Sequence, residues 1–190
     1  LVQGARFRDT GGANDHQEFG FFAAGAVAGS AVQGTVTFQD SAGPVQSMIV
    51  TGNETEGVNI DGGTIATFTN GTYSNNGIGA VEGDGLQLTN FTTATITNVT
   101  ANGNGDDGIQ LQLISTVTMN FVTTNNNGDR AFVVADVTTA NVSDLVDTGN
   151  GSGLGGRFLN VGTVNFTTTT TPANVADIVE LFPVAPGPEG

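Results

Sequence analysis

The sequence contains no cysteine, no tryptophan and no lysine, and only four arginines oppose 18 carboxylates. Without cysteine, neither a disulfide framework nor a thiolate metal site can form. The formal net charge of −14 disfavours a nucleic-acid partner, because phosphate binding draws on clustered Lys and Arg side chains. Such an acidic excess is best tolerated where cations are plentiful, as in a calcium-containing exterior. A merely soluble acidic surface explains the charge equally well. We expect an extracellular or cell-surface protein.

Long apolar runs are lacking as well. The apolar stretch at 19–32 has about 14 residues, fewer than the roughly 20 that a helix needs to cross a bilayer. We therefore predict no transmembrane segment and interpret the stretch as part of an N-terminal cap or first coil. Because the chain begins with Leu1 and not with Met, we expect that it was processed or excised from a larger protein.

What the sequence does have is an internal repeat, in a chain with 29 glycines, much Thr and Asn, and only 12% charged residues. Six similar segments, such as GLQLTNFT and GIQLQLIS, start 23, 28, 23, 23 and 25 residues apart. Their starting residues are Gly34, Gly57, Gly85, Gly108, Ala131 and Gly156. A second similar segment follows about eight residues later in most copies, as in TATITNVT and TVTMNFVT. The pattern predicts coils of about 23 residues, each with two strands and an Asn/Gly-rich turn.

Alternation within each strand predicts which side chains point inward. In the first strand the inward residues are Val58 and Ile60, Leu86 and Leu88, Ile109 and Leu111, and Phe132 and Val134. In the second strand they are Ala66 and Phe68, Ala94 and Ile96, Val117 and Met119, Ala140 and Val142, and Val164 and Phe166. One coil cannot bury these columns alone, whereas coils stacked about 4.8 Å apart can.

This repeat resembles the pectate-lyase-like superfamily of right-handed parallel β-helices, over Gly34 to Thr170. The resemblance implies an all-β, right-handed parallel β-helix, or β-solenoid, with a capped N-terminus. We predict a cap and first coil at 1–33, β-helix repeats at 34–170, and a C-terminal cap or docking segment with a tail at 171–190. The turns are expected to carry hydrogen-bonded ladders, for which Asn53, Asn102 and Asn125 are predicted to be equivalent.

Carboxylates that precede the repeat glycines are the strongest candidates for a binding site. Asp106 and Asp129 are 23 residues apart and should stack; Asp84, Asp107 and Arg130 should form the next column. We expect Arg130 to pair with Asp107, and a calcium ion could bridge Asp106 and Asp129, since Ca²⁺ takes carboxylate and carbonyl oxygens. A solvated acidic turn with no ion is the alternative, because no calcium-loop consensus is present.

Two other functions have to be weighed against a structural role. Asp106 and Asp107 resemble the paired aspartates of polygalacturonases, but the accompanying Gly-His-Gly and Arg-Ile-Lys motifs are absent, and no Lys exists to act as a lyase base. A polysaccharide-acting enzyme is therefore the minority hypothesis. The Thr-x-Thr pattern of the second strand resembles the ice-binding faces of antifreeze β-solenoids, although Thr is also simply a good exposed strand residue.

Asn-x-Ser/Thr tripeptides mark possible glycosylation sites, although such matches are weak evidence in a chain so rich in Asn and Thr. They occur at Asn53, Asn70, Asn90, Asn98, Asn141, Asn150 and Asn165. No cofactor other than calcium is expected.

Taken together, the sequence predicts a non-enzymatic extracellular structural protein. It would be a β-solenoid module of a cell-surface protein, an adhesin or a self-assembling fibre. The partners expected are further copies bound end to end or neighbouring modules of the same polymer, and carbohydrate is a further candidate.

Overall fold

A computed structural model describes residues 2–3, 6–8, 21–24, 34–39, 48–77, 83–151, 155–167 and 180–182. These residues form thirteen β-strands and no helix. The strands are β1 (Val2–Gln3), β2 (Arg6–Arg8), β3 (Phe21–Ala24), β4 (Thr35–Gln39), β5 (Met48–Thr51), β6 (Val58–Thr69), β7 (Gly71–Ser74), β8 (Leu86–Thr100), β9 (Ile109–Asn125), β10 (Phe132–Ser143), β11 (Val146–Thr148), β12 (Gly156–Thr167) and β13 (Glu180–Phe182). The all-β prediction is confirmed.

All the described pairs are parallel, and the long central strands β6, β8, β9, β10 and β12 each pair with the coil before and the coil after. The central ladder runs β1-β4-β6-β8-β9-β10-β12-β13, and β2, β5 and β7 form a further path that joins β8. Neighbouring coils pair residues 28, 23, 23 and 24 positions apart, as Val58, Leu86, Ile109, Phe132 and Gly156 show. The molecule is therefore a parallel β-solenoid with coils of about 23 residues, as the repeat predicts.

Where all of a coil's strands are described, as in the coils of β6, β8, β9 and β10, the coil has three faces and not two. In the coil of β9, the first face is 109–112, the second face is 116–120 and the third face is 122–125. The residue at each bend has a positive φ: Leu113 (55°) and Phe121 (52°) flank the second face, and Asn126 (55°) ends the third. Short third-face strands such as β5, β7 and β11 have too few residues for alternation to reveal them.

The core lies inside the coils and consists of the columns that alternation predicts. From Val58 to Val142 these inward residues are at most 3% exposed. The third face adds two columns that the sequence pattern does not reveal: Val50 lies beside Tyr73 in one, and Val99 lies beside Val122 in the other. The exception to burial is at the last second-face rung, where Val164 is only partly buried and Phe166 is 50% exposed.

Two predicted alignments are wrong. The segment after Gly34 pairs with the second face, Thr35 with Ile65 and Phe38 with Phe68, and it is β3 that pairs with the first face at Val58. Gly155, not Gly156, is the counterpart of Ala131, because Gly156 pairs with Phe132. A Cβ atom at residue 156 would lie 2.0 Å from Cζ of Phe132, so glycine makes room for that ring.

The ladder extends beyond 34–170 at both ends. β1, β2 and β3 of the predicted cap pair with β4, β5 and β6, and β13 of the predicted C-terminal segment pairs with β12 at Arg157–Leu159. The other residues of 1–33 and 171–190, and the insertion at 78–82, lie outside the described residues. Within the described part of the chain, no helix is long and apolar enough to cross a membrane.

Candidate functional site

A buried asparagine ladder holds the turn between the third and first faces in place. Its members are Asn53, Asn76, Asn104, Asn127 and Asn150. The side-chain amide nitrogen of Asn104 donates to Oδ1 of Asn127 (3.0 Å) and to the carbonyl oxygen of Tyr73 (3.1 Å). Oδ1 of Asn104 accepts from the side chain and the backbone N–H of Asn76. Backbone and side-chain amides of Asn76 and Asn104 are thus satisfied together in the interior, whereas Oδ1 of Asn53, at the first rung, has no hydrogen-bond partner among the described residues.

Asn53 belongs to this buried ladder, so the predicted equivalence of Asn53 with Asn102 and Asn125 is wrong. Asn102 and Asn125 do stack on each other, because the backbone N–H of Asn125 donates to Oδ1 of Asn102 (2.7 Å). In the preceding coil their position is held by Ser74, whose hydroxyl accepts the backbone N–H of Asn102. Within one turn, Asn102 and Asn104 are only two residues apart. Because the turn sequence does not alternate, it does not reveal which of the two belongs to the buried ladder.

A column of carboxylates follows the asparagine ladder, directly before the first face. The backbone N–H of Asp107 donates to Oδ1 of Asp84 (3.0 Å), and the backbone N–H of Arg130 donates to Oδ1 of Asp107 (2.9 Å). The predicted column of Asp84, Asp107 and Arg130 therefore exists, and each carboxylate accepts a hydrogen bond from the next coil. Asp84 is 4% exposed and Asp107 is 3% exposed.

Asp106 joins these two residues to form a three-carboxylate cluster. One carboxylate oxygen from each of Asp84, Asp106 and Asp107 can be chosen so that all three lie within 4.8 Å of one another. Oxygens so grouped are the ligand type that Ca²⁺ takes. These three residues are therefore the described ones best placed to hold a divalent cation.

Burial and mutual repulsion favour the protonated forms of two members of this cluster, Asp84 and Asp107. Burial, and then the charge of Asp107, raise the pKa of Asp84 to about 8. Burial, and then the charge of Asp106, raise the pKa of Asp107 to about 7, although the hydrogen bond from Arg130 opposes the shift. Both carboxyls therefore change charge near neutral pH, where an ion can compete with the proton.

Glu56 also belongs to this column, and sequence reasoning missed it. It precedes Gly57 as Asp84 precedes Gly85, and its charge contributes to the raised pKa of Asp84. Its Oε2 atom is buried without a hydrogen-bond partner among the described residues. Glu56 and Asp84 are 28 residues apart because their coil contains an insertion, so the regular spacing of 23 residues does not reveal that they are equivalent.

The predicted partner of Arg130 is different from the one in the structure. Its guanidinium nitrogen Nη1 forms a salt bridge with Asp129, the preceding residue, and only its backbone N–H contacts the carboxylate of Asp107. Asp129 does stack on Asp106, since its N–H donates to the Asp106 carbonyl oxygen (3.0 Å). Asp106 thus lies close to Asp84 and Asp107, while the carboxylate of Asp129 is held by Arg130.

The second face presents the three outward columns that the Thr-x-Thr pattern predicts, and β4 adds one rung to them. The first column is Thr35, Ile65, Thr93, Thr116, Thr139 and Thr163; the second is Thr37, Thr67, Thr95, Thr118, Asn141 and Asn165; the third is Gln39, Thr69, Thr97, Asn120, Ser143 and Thr167. All are half-buried or exposed. Together they form a sheet face without a charged side chain.

The Asn-x-Ser/Thr sites lie in different environments. Asn53 is fully buried, and the amide nitrogen of Asn150 donates to Asp147 in its own turn and to the carbonyl oxygen of Thr124 in the preceding coil. Asn90 and Asn98 are exposed at bends, and Asn98 donates to Asn70. Asn165 donates to Asn141 on the second face. The exposed members of this set, such as Asn90, are the ones that a glycan could reach.

The ladders and columns define a protein of the parallel β-solenoid class. A family model described as a right handed beta helix region matches residues 27–171, so the chain belongs to the right-handed β-helix family. Comparisons with curated proteins and with solved structures gave no significant match. Because one fold supports many functions, family membership establishes the architecture and not an activity.

Proposed function

We propose that this protein is a non-enzymatic structural module that works outside the cell or at its surface, as part of a surface protein, adhesin or self-assembling fibre. The regular solenoid supplies a rigid rod, and the end of that rod supplies a contact for another copy or for a neighbouring module. A role of this kind requires an unfinished end on the stack of coils.

Phe166 is the observation that carries this proposal. Its counterparts in earlier coils, including Phe68, Ile96 and Met119, are 0% exposed, whereas Phe166 is 50% exposed. Among the described residues, β13 pairs with the first face of β12 but no strand pairs with its second face at 163–167. An apolar side chain beside backbone groups that no described strand pairs favours addition of another strand.

The test is electron microscopy of the purified protein, with and without millimolar calcium. We expect filaments of uniform width, and we expect Phe166→Asn to shorten or abolish them. Leu113→Asn is the matched control, because Leu113 is equally exposed (49%) but lies in the coil of β9, which pairs with β8 before it and with β10 after it. Isolated rods under all conditions, or filaments unaffected by Phe166→Asn, would contradict end-to-end association.

We further propose that the cluster of Asp84, Asp106 and Asp107 binds calcium and stiffens the rod. Binding is expected to raise the thermal unfolding midpoint at pH 8, where the carboxyls can ionise, and to have little effect at pH 5. Thermal unfolding with and without calcium measures the midpoint at each pH. Calorimetric titration of calcium into the protein and into Asp84→Asn compares the two affinities. Equal calcium affinity in the two proteins would reject the cluster as the site.

Two further functions are supported by single observations. The flat second face, rich in Thr, is the reason to test for ice binding by thermal hysteresis; we expect none, since Asn120, Asn141 and Ser143 interrupt the array. The raised pKa values of Asp84 and Asp107 are the reason to test for polysaccharide cleavage. We expect no release of reducing or unsaturated ends, because both carboxyls are nearly inaccessible to a polymer.

A further inference from the structure

Both bends beside the second face carry an unexpected residue in the same coil. The first bend consists of Gly62, Asn90, Leu113, Asp136 and Asn160, and the second of Asn70, Asn98, Phe121 and Asp144; all have positive φ. Asn and Asp tolerate this conformation, whereas a bulky apolar residue is disfavoured. Leu113 and Phe121 are nevertheless 49% and 55% exposed.

These two residues also interrupt hydrogen-bonded columns of side chains. At the first bend Asn160 donates to Oδ1 of Asp136 (2.6 Å), and at the second Asn98 donates to Oδ1 of Asn70 (2.7 Å). An Asn at either position of the β9 coil would suit the backbone and would expose less apolar surface. Conformational preference and solubility both oppose Leu113 and Phe121, and a contact that covers both side chains would account for them.

The surface between them is suited to close approach by another acidic molecule. The second face carries no charged side chain, although the chain has a net charge of −14. The carboxylates at its edges in the next coil are Asp136 and Asp144. A contact on this face therefore brings together uncharged strips and leaves most of the acidic surface exposed.

We propose that a second copy of this chain packs on the second face, face to face and with the two rods antiparallel about the β9 coil. In that arrangement Leu113 meets its counterpart, Phe121 meets its counterpart, and the coil of β8 lies opposite the coil of β10. Asp136 then faces Asn90 of the other copy, and Asp144 faces Asn98. With parallel rods Asp136 would face Asp144, so like charges disfavour that orientation.

The spacing and the size of the face also fit a second copy. Another copy has rungs at the same repeat of about 4.8 Å, so its outward columns match without distortion. With the two β9 coils opposite each other, the five rungs from β6 to β12 overlap. At a width of about 20 Å they give about 500 Å² per molecule, or about 1,000 Å² in total, at the lower end of specific interfaces. We therefore expect a reversible dimer and not a permanent one. This lateral contact does not depend on end-to-end association through Phe166.

Analytical ultracentrifugation tests the contact with variants chosen to keep the fold. Leu113→Asn and Phe121→Asn introduce the residue type found at the same bends in the preceding coil, so both should fold at least as well as the original chain. Up to about 500 μM protein, we expect a dimer that strengthens with added salt, which screens the remaining repulsion. The double variant should raise the dimer dissociation constant at least tenfold, while Val146→Asn and Phe166→Asn leave it unchanged.

Cysteine substitution tests the orientation, because the chain has no cysteine of its own. Thr95 and Asn141 flank Thr118 in the same outward column. If the rods are antiparallel, Thr95→Cys and Asn141→Cys form disulfide-linked dimers when mixed but not separately. If each variant crosslinks with itself and the mixture gives no excess of the mixed species, the antiparallel arrangement is overturned.

Other occupants of the face give different results. A monomer at every concentration and salt tested, or a dimer unaffected by the double Asn variant, would overturn the proposal. So would thermal hysteresis or neutral-polysaccharide binding lost in the double variant of a protein that remains monomeric. Filaments that persist in the double variant while the lateral dimer is lost would show that the two contacts are separate.

Discussion

At the scale of single residues, asparagine has two structural roles in this fold. At the bends it adopts positive φ, as at Asn90 and Asn98, and inside the turn it forms a ladder in which Asn104 contacts its neighbours on both sides. The buried ladder matters more for stability, because its donors and acceptors have no access to water.

Asn104→Ala should destabilise the protein by about 3 kcal/mol, since it leaves the side chain and the backbone N–H of Asn76 without their acceptor in the interior. Urea unfolding monitored by circular dichroism measures the loss. Asn126→Gly is the control: Asn126 is an exposed bend residue whose counterparts are Gly103 and Gly149, so the change should stay within about 0.5 kcal/mol. Equal losses in the two variants would contradict a structural role for the ladder.

At the scale of strands, alternation identifies inward and outward positions but not which face a strand belongs to. The segment TVTF after Gly34 has the alternation expected of either face, and only its pairing with Ile65–Thr69 places it on the second. At β12 the spacing between paired residues rises to 24, and there Gly156 accommodates the ring of Phe132; we expect this contact to help set the register.

Gly156→Ala is therefore expected to cost about 2 to 3 kcal/mol through overpacking. Phe132→Leu in the same chain should relieve part of that cost, so the double variant loses less stability than the sum of the single variants. Gly34→Ala is the control, because nothing lies within 4 Å of the added Cβ. Additive losses at residues 132 and 156 would show that the ring does not set this register.

At the scale of the whole molecule, two carboxyls buried in one column make the stability of the protein depend on pH. Because Asp84 and Asp107 are buried, the structure favours their protonated forms. Their pKa values in the unfolded chain are near 3.8, below those in the folded protein. The folded state thus binds more protons than the unfolded state between these values.

The stability contributed by these protons is fully present below about pH 3.8 and is lost as the pH rises to about 8. We expect the free energy of unfolding in the absence of calcium to fall by at least about 2 kcal/mol between pH 5 and pH 8. Denaturation series across this range, repeated with Asp84→Asn and Asp107→Asn, measure the effect. An unchanged pH dependence in both variants would assign it to other groups.

The sequence by itself determined the repeat, the all-β class and the inward columns, because the coil length and the period of two are local properties of the chain. It also placed Asp84, Asp107 and Arg130 in one column, since their spacing equals the coil length. Only the tertiary structure decided what depends on neighbouring coils: the third face, the pairing of Gly156 with Phe132, the salt bridge between Arg130 and Asp129, and the positions of Leu113 and Phe121 at two bends of one coil. These features could not be predicted because each depends on which side chain lies one rung away, and insertions, bends and ring sizes set that register only after the coils have stacked.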